Sequence, residues 1–182
     1  GYTVRRASSN GGPYSVIASG IADTSYTDSG LTDGSTWYYT VTSRDVAGEG
    51  PASAPVSATT YTPIESWRQA NFGTISNSGN AADGADPDGD GMSNVQEFAA
   101  GTDPNGLASV LRVSSVTVSN NDLVVSFPSV SGNTYRLERS DTLQGGSWTT
   151  VQDNISGTGG VIQVTDSGAA AQSRRFYRVV LP

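Results

Sequence analysis

The chain has 182 residues, 17 acidic against 10 basic, for a net charge of −7, and contains neither Cys nor His. That net negative charge leaves no strongly basic footprint for nucleic acid or an anionic membrane, and because all ten basic residues are Arg, with no Lys or His, the usual bases of serine or cysteine hydrolases are missing. A hydrophobic content of 35% with 22 Gly suits short strands joined by many turns, and no apolar run approaches the roughly 18 residues that span a bilayer.

Residues 1–60 alternate apolar and polar positions in short runs bounded by Gly, Asp and Ser, which predicts strands near 2–6, 14–18, 24–28, 36–43 and 54–60. Trp37, Tyr39 and Val41 fall on one face of the fourth, expected to point inward, with Tyr38, Thr40 and Thr42 outward. The opening residues do not read as a signal peptide. Gly1-Tyr-Thr-Val-Arg-Arg6 reads as mid-strand, an expectation that places any targeting segment upstream.

Residues 61–108 break the β pattern. Thr62-Pro-Ile-Glu65 is a helix start, with Thr62 as N-cap, Pro63 at the first helical position and Glu65 closing a capping box. Ile64, Trp67 and Ala70 share a face at helical spacing, and Gly73 is the expected stop. Asn94-Val-Gln-Glu-Phe-Ala-Ala100 reads as a second short helix ended by Gly101, with Val95 and Phe98 expected to pack inward against Trp67 and Phe72.

Between these helices lies the most informative stretch, Asp86-Pro-Asp-Gly-Asp-Gly-Met-Ser-Asn-Val-Gln-Glu97. Oxygen donors at positions 1, 3, 5, 9 and 12, with glycine at position 6, give the ligand spacing of an EF-hand calcium loop. Asp86, Asp88 and Asp90 would each supply a carboxylate oxygen and Met92 its backbone carbonyl. Asn94 would bind directly or through water, and Glu97 would close the site with both oxygens. Gly91 permits the sharp turn that a side chain would obstruct. Magnesium demands a smaller octahedron and keeps its waters, and zinc prefers the His and Cys that are absent, so Ca2+ is the expected ion. Asp83 and Asp103 add acidity nearby, as a second ion site or as helix caps.

Residues 109–182 return to short strands, predicted near 110–118, 122–128, 134–139, 148–152, 161–165 and 175–181. The two ends of the chain are also alike. Tyr2-Thr-Val-Arg-Arg6 matches Tyr135-Arg-Leu-Glu-Arg139, and Gly11-Gly-Pro-Tyr14 matches Gly145-Gly-Ser-Trp148. Tyr26-Thr-Asp-Ser-Gly30 matches Val164-Thr-Asp-Ser-Gly168, and Tyr39-Thr-Val41 matches Tyr177-Arg-Val179. In the second copy two strands precede the segment that matches Tyr2, and in the first none does. The first copy is therefore expected to lack two opening strands and to expose the inner face of one sheet, either as a fragment of a longer protein or with a partner supplying the strands. The second copy ends before any final strand, so strand exchange between subunits is a minor alternative.

Ile17-Ala-Ser-Gly20, Thr24–Leu31, Gly34–Val41 and Ala47-Gly-Glu-Gly50 resemble the latter part of a fibronectin type III domain, with Trp37 standing where that family usually has the tyrosine of its corner motif. Asp86–Glu97 with Gly101-Thr-Asp-Pro104 resembles the single calcium loops of bacterial extracellular proteins, related to dockerin and thrombospondin type 3 repeats. Only one loop is present where dockerin has two, so the resemblance does not extend to cohesin binding. The order of modules, closing on Arg175-Phe-Tyr-Arg-Val-Val-Leu181, is similar to the C-terminal ends of large secreted bacterial proteins, many of which act on or attach to polysaccharides.

The expected fold is mainly β: two fibronectin type III-like β-sandwiches, residues 1–60 (partial) and 109–182, joined by a helical calcium-loop module at 61–108. Carboxylates outside the loop sit in turns, and the repeated Asp-Ser-Gly at 28–30 and 166–168 marks a turn rather than a catalytic group. Gly157-Thr-Gly-Gly160 lacks the Lys and helix of a phosphate loop. The expectation is a non-catalytic, secreted or cell-surface, calcium-stabilised spacer whose ion stiffens the junction between sandwiches. Calcium would replace the disulfides that such extracellular modules usually carry. Its partners would be upstream domains of the same chain. The alternatives are a carbohydrate-binding module presenting Tyr14, Tyr38 or Trp148 to a polysaccharide, and a filament subunit exchanging strands with its neighbours.

Overall fold

A computed structural model describes residues 1–182. The chain is mainly β, with antiparallel sheets throughout, and folds as two compact units, Gly1–Ala70 and Asn71–Pro182. No helix is long and apolar enough to cross a membrane.

The N-terminal unit holds one five-stranded sheet. Its strands are β1 (Tyr2–Ala7), β2 (Ser15–Ile21), β3 (Thr36–Asp45), β4 (Gly48–Ala52) and β5 (Val56–Thr59), in the order β2-β1-β3-β4 with β5 also pairing β3. The register Val4↔Val41 and Arg6↔Tyr39 puts Tyr2, Val4, Arg6, Tyr39 and Val41 on one face. The alternation is the one expected, but at 40–42 the burial is inverted: Thr40 and Thr42 are buried while Val41 is 38% exposed, although Val4 beside it is buried. The face meant for a core has no second sheet over it. It forms an open apolar groove lined by Tyr2, Val4, Ile21, Leu31, Tyr39 and Val41. Residues 24–28 form no strand here, because no neighbouring backbone offers them a ladder. Trp37 takes no hydrogen bond at its buried indole nitrogen, and the Arg6 guanidinium lies 4.4 Å over its ring instead.

Helix α1 (Pro63–Phe72) starts as its sequence dictates. The Thr62 amide and hydroxyl both donate to Glu65 Oε2 at 2.8 Å, and the chain leaves the helix through Gly73 in a left-handed conformation.

In the C-terminal unit, α2 (Asn94–Ala100) is followed by β6 (Ser115–Ser119), β7 (Asp122–Pro128), β8 (Thr134–Ser140), β9 (Thr149–Ser156), β10 (Val161–Asp166) and β11 (Phe176–Val180). These strands form two three-stranded sheets, β10-β7-β6 and β11-β8-β9. Val125, Phe127 and Val164 from the first sheet pack on Tyr135, Leu137 and Ile155 from the second, closing a β-sandwich. The Phe127 and Tyr135 rings meet edge to face at 5.6 Å. The expected strand over 110–118 shortens to β6; Val110 is buried, and Leu111 and Val113 pack against the core and not in a ladder.

The internal repeat has a structural counterpart that the turn reading of Asp-Ser-Gly did not contain. Asp28 accepts from Arg6 Nη1 at 2.9 and 3.0 Å and from the Tyr39 hydroxyl at 2.9 Å. At the matching positions Asp166 is paired with Arg139 and accepts from the Tyr177 hydroxyl at 2.8 Å, with Arg175 adding a third donor at 3.1 Å. The aspartates are clamps that tie three segments of each copy together. Burial and the neighbouring carboxylate raise the pKa of both tyrosines.

Candidate metal centre

The acidic loop belongs to the C-terminal unit and is wound by its own side chains. Asp86 accepts from the Gly89 amide (2.9 Å) and the Gly91 amide (3.0 Å), Asp88 from the Asp90 amide (3.1 Å), and Asp90 from the Met92 amide (2.7 Å). These bonds turn the backbone tightly enough to bring ligand atoms of Asp86, Asp88 and Asp90 within 4.8 Å of one another. Gly91 sits at φ +95°, a conformation that side chains resist.

Each aspartate at positions 3 and 5 spends one oxygen on the turn and keeps the other. Asp88 Oδ2 and Asp90 Oδ2 are buried with no hydrogen-bond partner in the protein, and so are Asn94 Oδ1 and Glu97 Oε2. Asn94 is 1% exposed and Glu97 is fully buried. Four orphaned oxygens, three of them on carboxylates, is an expensive arrangement for a folded protein to keep. Burial first, and then the fields of Asp88 and Asp90, push the Glu97 carboxyl up to about 7. Its other oxygen accepts from the Thr102 hydroxyl at 3.4 Å. Glu97 lies outside the tight trio but within its electrostatic reach.

Helix α2 delivers the last two donors. Its buried positions are Asn94, Glu97 and Ala100, so Val95, expected inside, is instead 43% exposed. The inward stripe carries Asn94 and Glu97 as well as the apolar Ala100, so the helix buries its two polar side chains on the side of the acidic loop. Ser93 donates its amide to Gln96 Oε1 at 2.8 Å, half of the reciprocal pattern at a helix start. The Ser-x-x-Gln spacing at 93–96 is legible in the sequence although the helix boundaries alone did not draw attention to it.

The long polar segment after Gly73, unlike the entering helix of a paired EF-hand, acts as a brace. Asn94 Nδ2 donates to the carbonyls of Asn80 and Ala82, both at 2.7 Å, which fixes the amide plane and leaves Oδ1 without a protein donor. The Asn94 and Val95 amides donate to the Ala85 and Asp83 carbonyls. Sequence reasoning could not find these partners, because they are backbone atoms. Asp83 and Asp103 hold turns: Asp83 exchanges hydrogen bonds with Asn77, and Asp103 accepts from the Asn105 amide.

The structure thus brings Asp86, Asp88 and Asp90 together, sets Glu97 within their field and leaves a buried, unpartnered oxygen on Asn94, while Met92 at the seventh loop position has its amide pinned by Asp90 and its sulfur accepting from the Leu111 amide at 3.3 Å. An all-oxygen set of this kind can hold a hard divalent cation. The three aromatics that could serve as glycan platforms are engaged locally. Tyr14 donates to the Asn10 carbonyl, Tyr38 is half-buried, and Trp148 lies under the Arg178 guanidinium at 4.3 Å. No protein-family model and no curated protein matches the chain.

Proposed function

We propose that the chain is a non-catalytic, calcium-stabilised structural region of a secreted or cell-surface protein. Four buried, donorless oxygens on the loop and on α2, beside a tight cluster of Asp86, Asp88 and Asp90 whose field reaches Glu97, carry this reading. A divalent cation neutralises the carboxylates and gives every orphaned oxygen a partner, which no reorganisation of neutral side chains would do. Calcium fits better than magnesium because the donors are numerous and come mostly from the protein, where magnesium would retain its waters. A chain without Cys gains from calcium, in an ion-rich medium outside cells, what disulfides supply elsewhere. The resemblance to fibronectin type III domains and to single thrombospondin type 3-like loops points the same way.

Asp86, Asp88, Asp90, Asn94 and Glu97 are the side-chain ligands in this reading, and Met92 contributes its carbonyl. Titration calorimetry on chelator-stripped protein tests it. One calcium per chain is expected, with magnesium at least tenfold weaker, and Asp88→Asn/Asp90→Asn abolishing the heat. A stripped protein that gives no heat with calcium removes the proposal.

A further inference from the structure

Resting on that calcium reading, we infer that the turn at 130–133 of the C-terminal sandwich is the brace through which a bound ion and the sandwich stabilise each other, with Asn133 as its positioning residue. The loop and the sandwich meet through few contacts, and the most direct of them converge on this turn. Glu97, the last ligand, stands one helical turn before Ala100. The Ala100 carbonyl, at the C-terminus of α2 where helix carbonyls lack partners, accepts from Asn133 Nδ2 at 2.7 Å. Next along the chain, Gly101 packs against Val130: a Cβ there would lie 3.3 Å from Val130 Cγ1.

The turn is itself locked into the sandwich. The Val130 amide donates to the hydroxyl of Tyr135, a core residue 1% exposed, at 2.8 Å. The Asn133 carbonyl accepts from the Gly157 amide at 2.8 Å. Gly157 approaches so closely that a Cβ would fall 1.9 Å from the Val130 carbonyl oxygen. One rigid path therefore runs from ligand to helix end, to turn, to core. A second tether, from the Leu111 amide to the Met92 sulfur, enters the loop from its other side.

Ion binding orders Glu97 and hence the last turn of α2. That order is transmitted to Asn133, and linkage requires the reverse: a well-formed turn raises affinity for the ion by the same factor. Asn133 touches no ligand atom, so its effect on affinity can only be positional.

The test uses the full chain carrying Trp37→Phe and Trp67→Phe, leaving Trp148 as the sole indole and a reporter of the sandwich. Calcium affinity is read by calorimetry, and sandwich melting by Trp148 emission with calcium or chelator. In the parent, calcium is expected to raise the Trp148 melting temperature by several degrees. Asn133→Ala is expected to weaken calcium binding about fivefold, the worth of one hydrogen bond, and to cut that rise by at least half. Val164→Ala, which loosens the core away from the turn, is expected to lower melting in both conditions and keep the calcium-dependent rise. Calcium that binds without moving Trp148 melting overturns the brace alone, as does Asn133→Ala with unaltered affinity and an unaltered rise. Absence of any calcium heat in the parent overturns the reading beneath it.

Discussion

The two units use one sequence repeat to opposite effect. Both carry the Arg–Asp–Tyr clamp at matching positions, and in both the strand bearing the tyrosine lies beside the strand bearing the arginine. In the C-terminal unit the segment ending at Asp166 is β10, because β7 stands beside it with the register Val125↔Val164. In the N-terminal unit the equivalent segment ending at Asp28 forms no strand, since no counterpart of β7 is there to pair with it. Strand formation in this segment is thus a property of the neighbour, while the clamp is a property of the segment. The buried sets differ accordingly: six apolar residues close the C-terminal core, whereas the N-terminal sheet buries Val4 and Ala7 with three threonines and leaves Val41 exposed.

That contrast is most sharply broken by truncating one residue in each unit. Phe127 is fully buried between the two sheets, so Phe127→Ala is expected to cost about 3–5 kcal/mol. Val41 already meets solvent, and Val41→Ala is expected to cost less than about 1 kcal/mol. Urea unfolding of full chains that keep a single indole, Trp148 to report one unit or Trp37 to report the other, checks both. Comparable losses in the two would show that the N-terminal sheet is better covered than its open groove implies.

The ion loop gives the C-terminal unit a second distinguishing feature, a stability that depends on pH in the unusual direction. In ion-free protein Glu97 titrates near 7, against about 4.5 when unfolded. Below 4.5 it is protonated in both states and costs nothing. Between those values the folded form keeps a proton the unfolded form has lost, so stability falls as pH rises, by up to about 3 kcal/mol once both values are passed. Glu49 in the N-terminal unit behaves oppositely. Its hydrogen bond from Arg5 holds it down at about 2, so its contribution is present above 4.5 and is lost only as pH falls toward 2. Melting in chelator is therefore expected to be lower at pH 8 than at pH 5, and calcium is expected to remove or reverse that difference. A chelated protein whose Trp148 transition is as stable at pH 8 as at pH 5 would contradict the burial of Glu97.

How much of this was legible in the sequence follows from which atoms carry each feature. The mainly β architecture and most strand positions were readable because alternation is written in side chains, and β7, β8 and β10 fall within two residues of their expected spans. The cap at Thr62 and Glu65 was equally plain. The spacing of Asp86, Asp88 and Asp90 announced a convergent cluster for the same reason. What stayed hidden depends on backbone or on distant partners. The carbonyls of Asn80 and Ala82 that orient Asn94 leave no residue-type signature. Residues 24–28 have a strand's pattern and lack only a partner. Val95 has the apolar character of an inward residue, yet α2 buries the stripe of Asn94, Glu97 and Ala100 instead, which sets its two polar side chains beside the acidic loop.

The smallest expected effect separates the two helices. Thr62→Ala in the cap of α1 and Gln96→Ala in the cap of α2 each remove a side-chain partner from a helix start, and each is expected to cost about 1 kcal/mol. The consequences for calcium differ. Thr62 braces a helix that supplies no ligand, so its loss is expected to leave affinity unchanged. Gln96 lies between Asn94 and Glu97, and holds the Ser93 amide that sets the direction in which α2 leaves the loop. Its loss lets the first turn fray where both helical ligands are anchored, and calcium affinity is expected to fall several-fold. Equal affinities in the two variants, measured side by side by calorimetry, would mean that the loop's own turn bonds, and not the helix start, set the positions of Asn94 and Glu97.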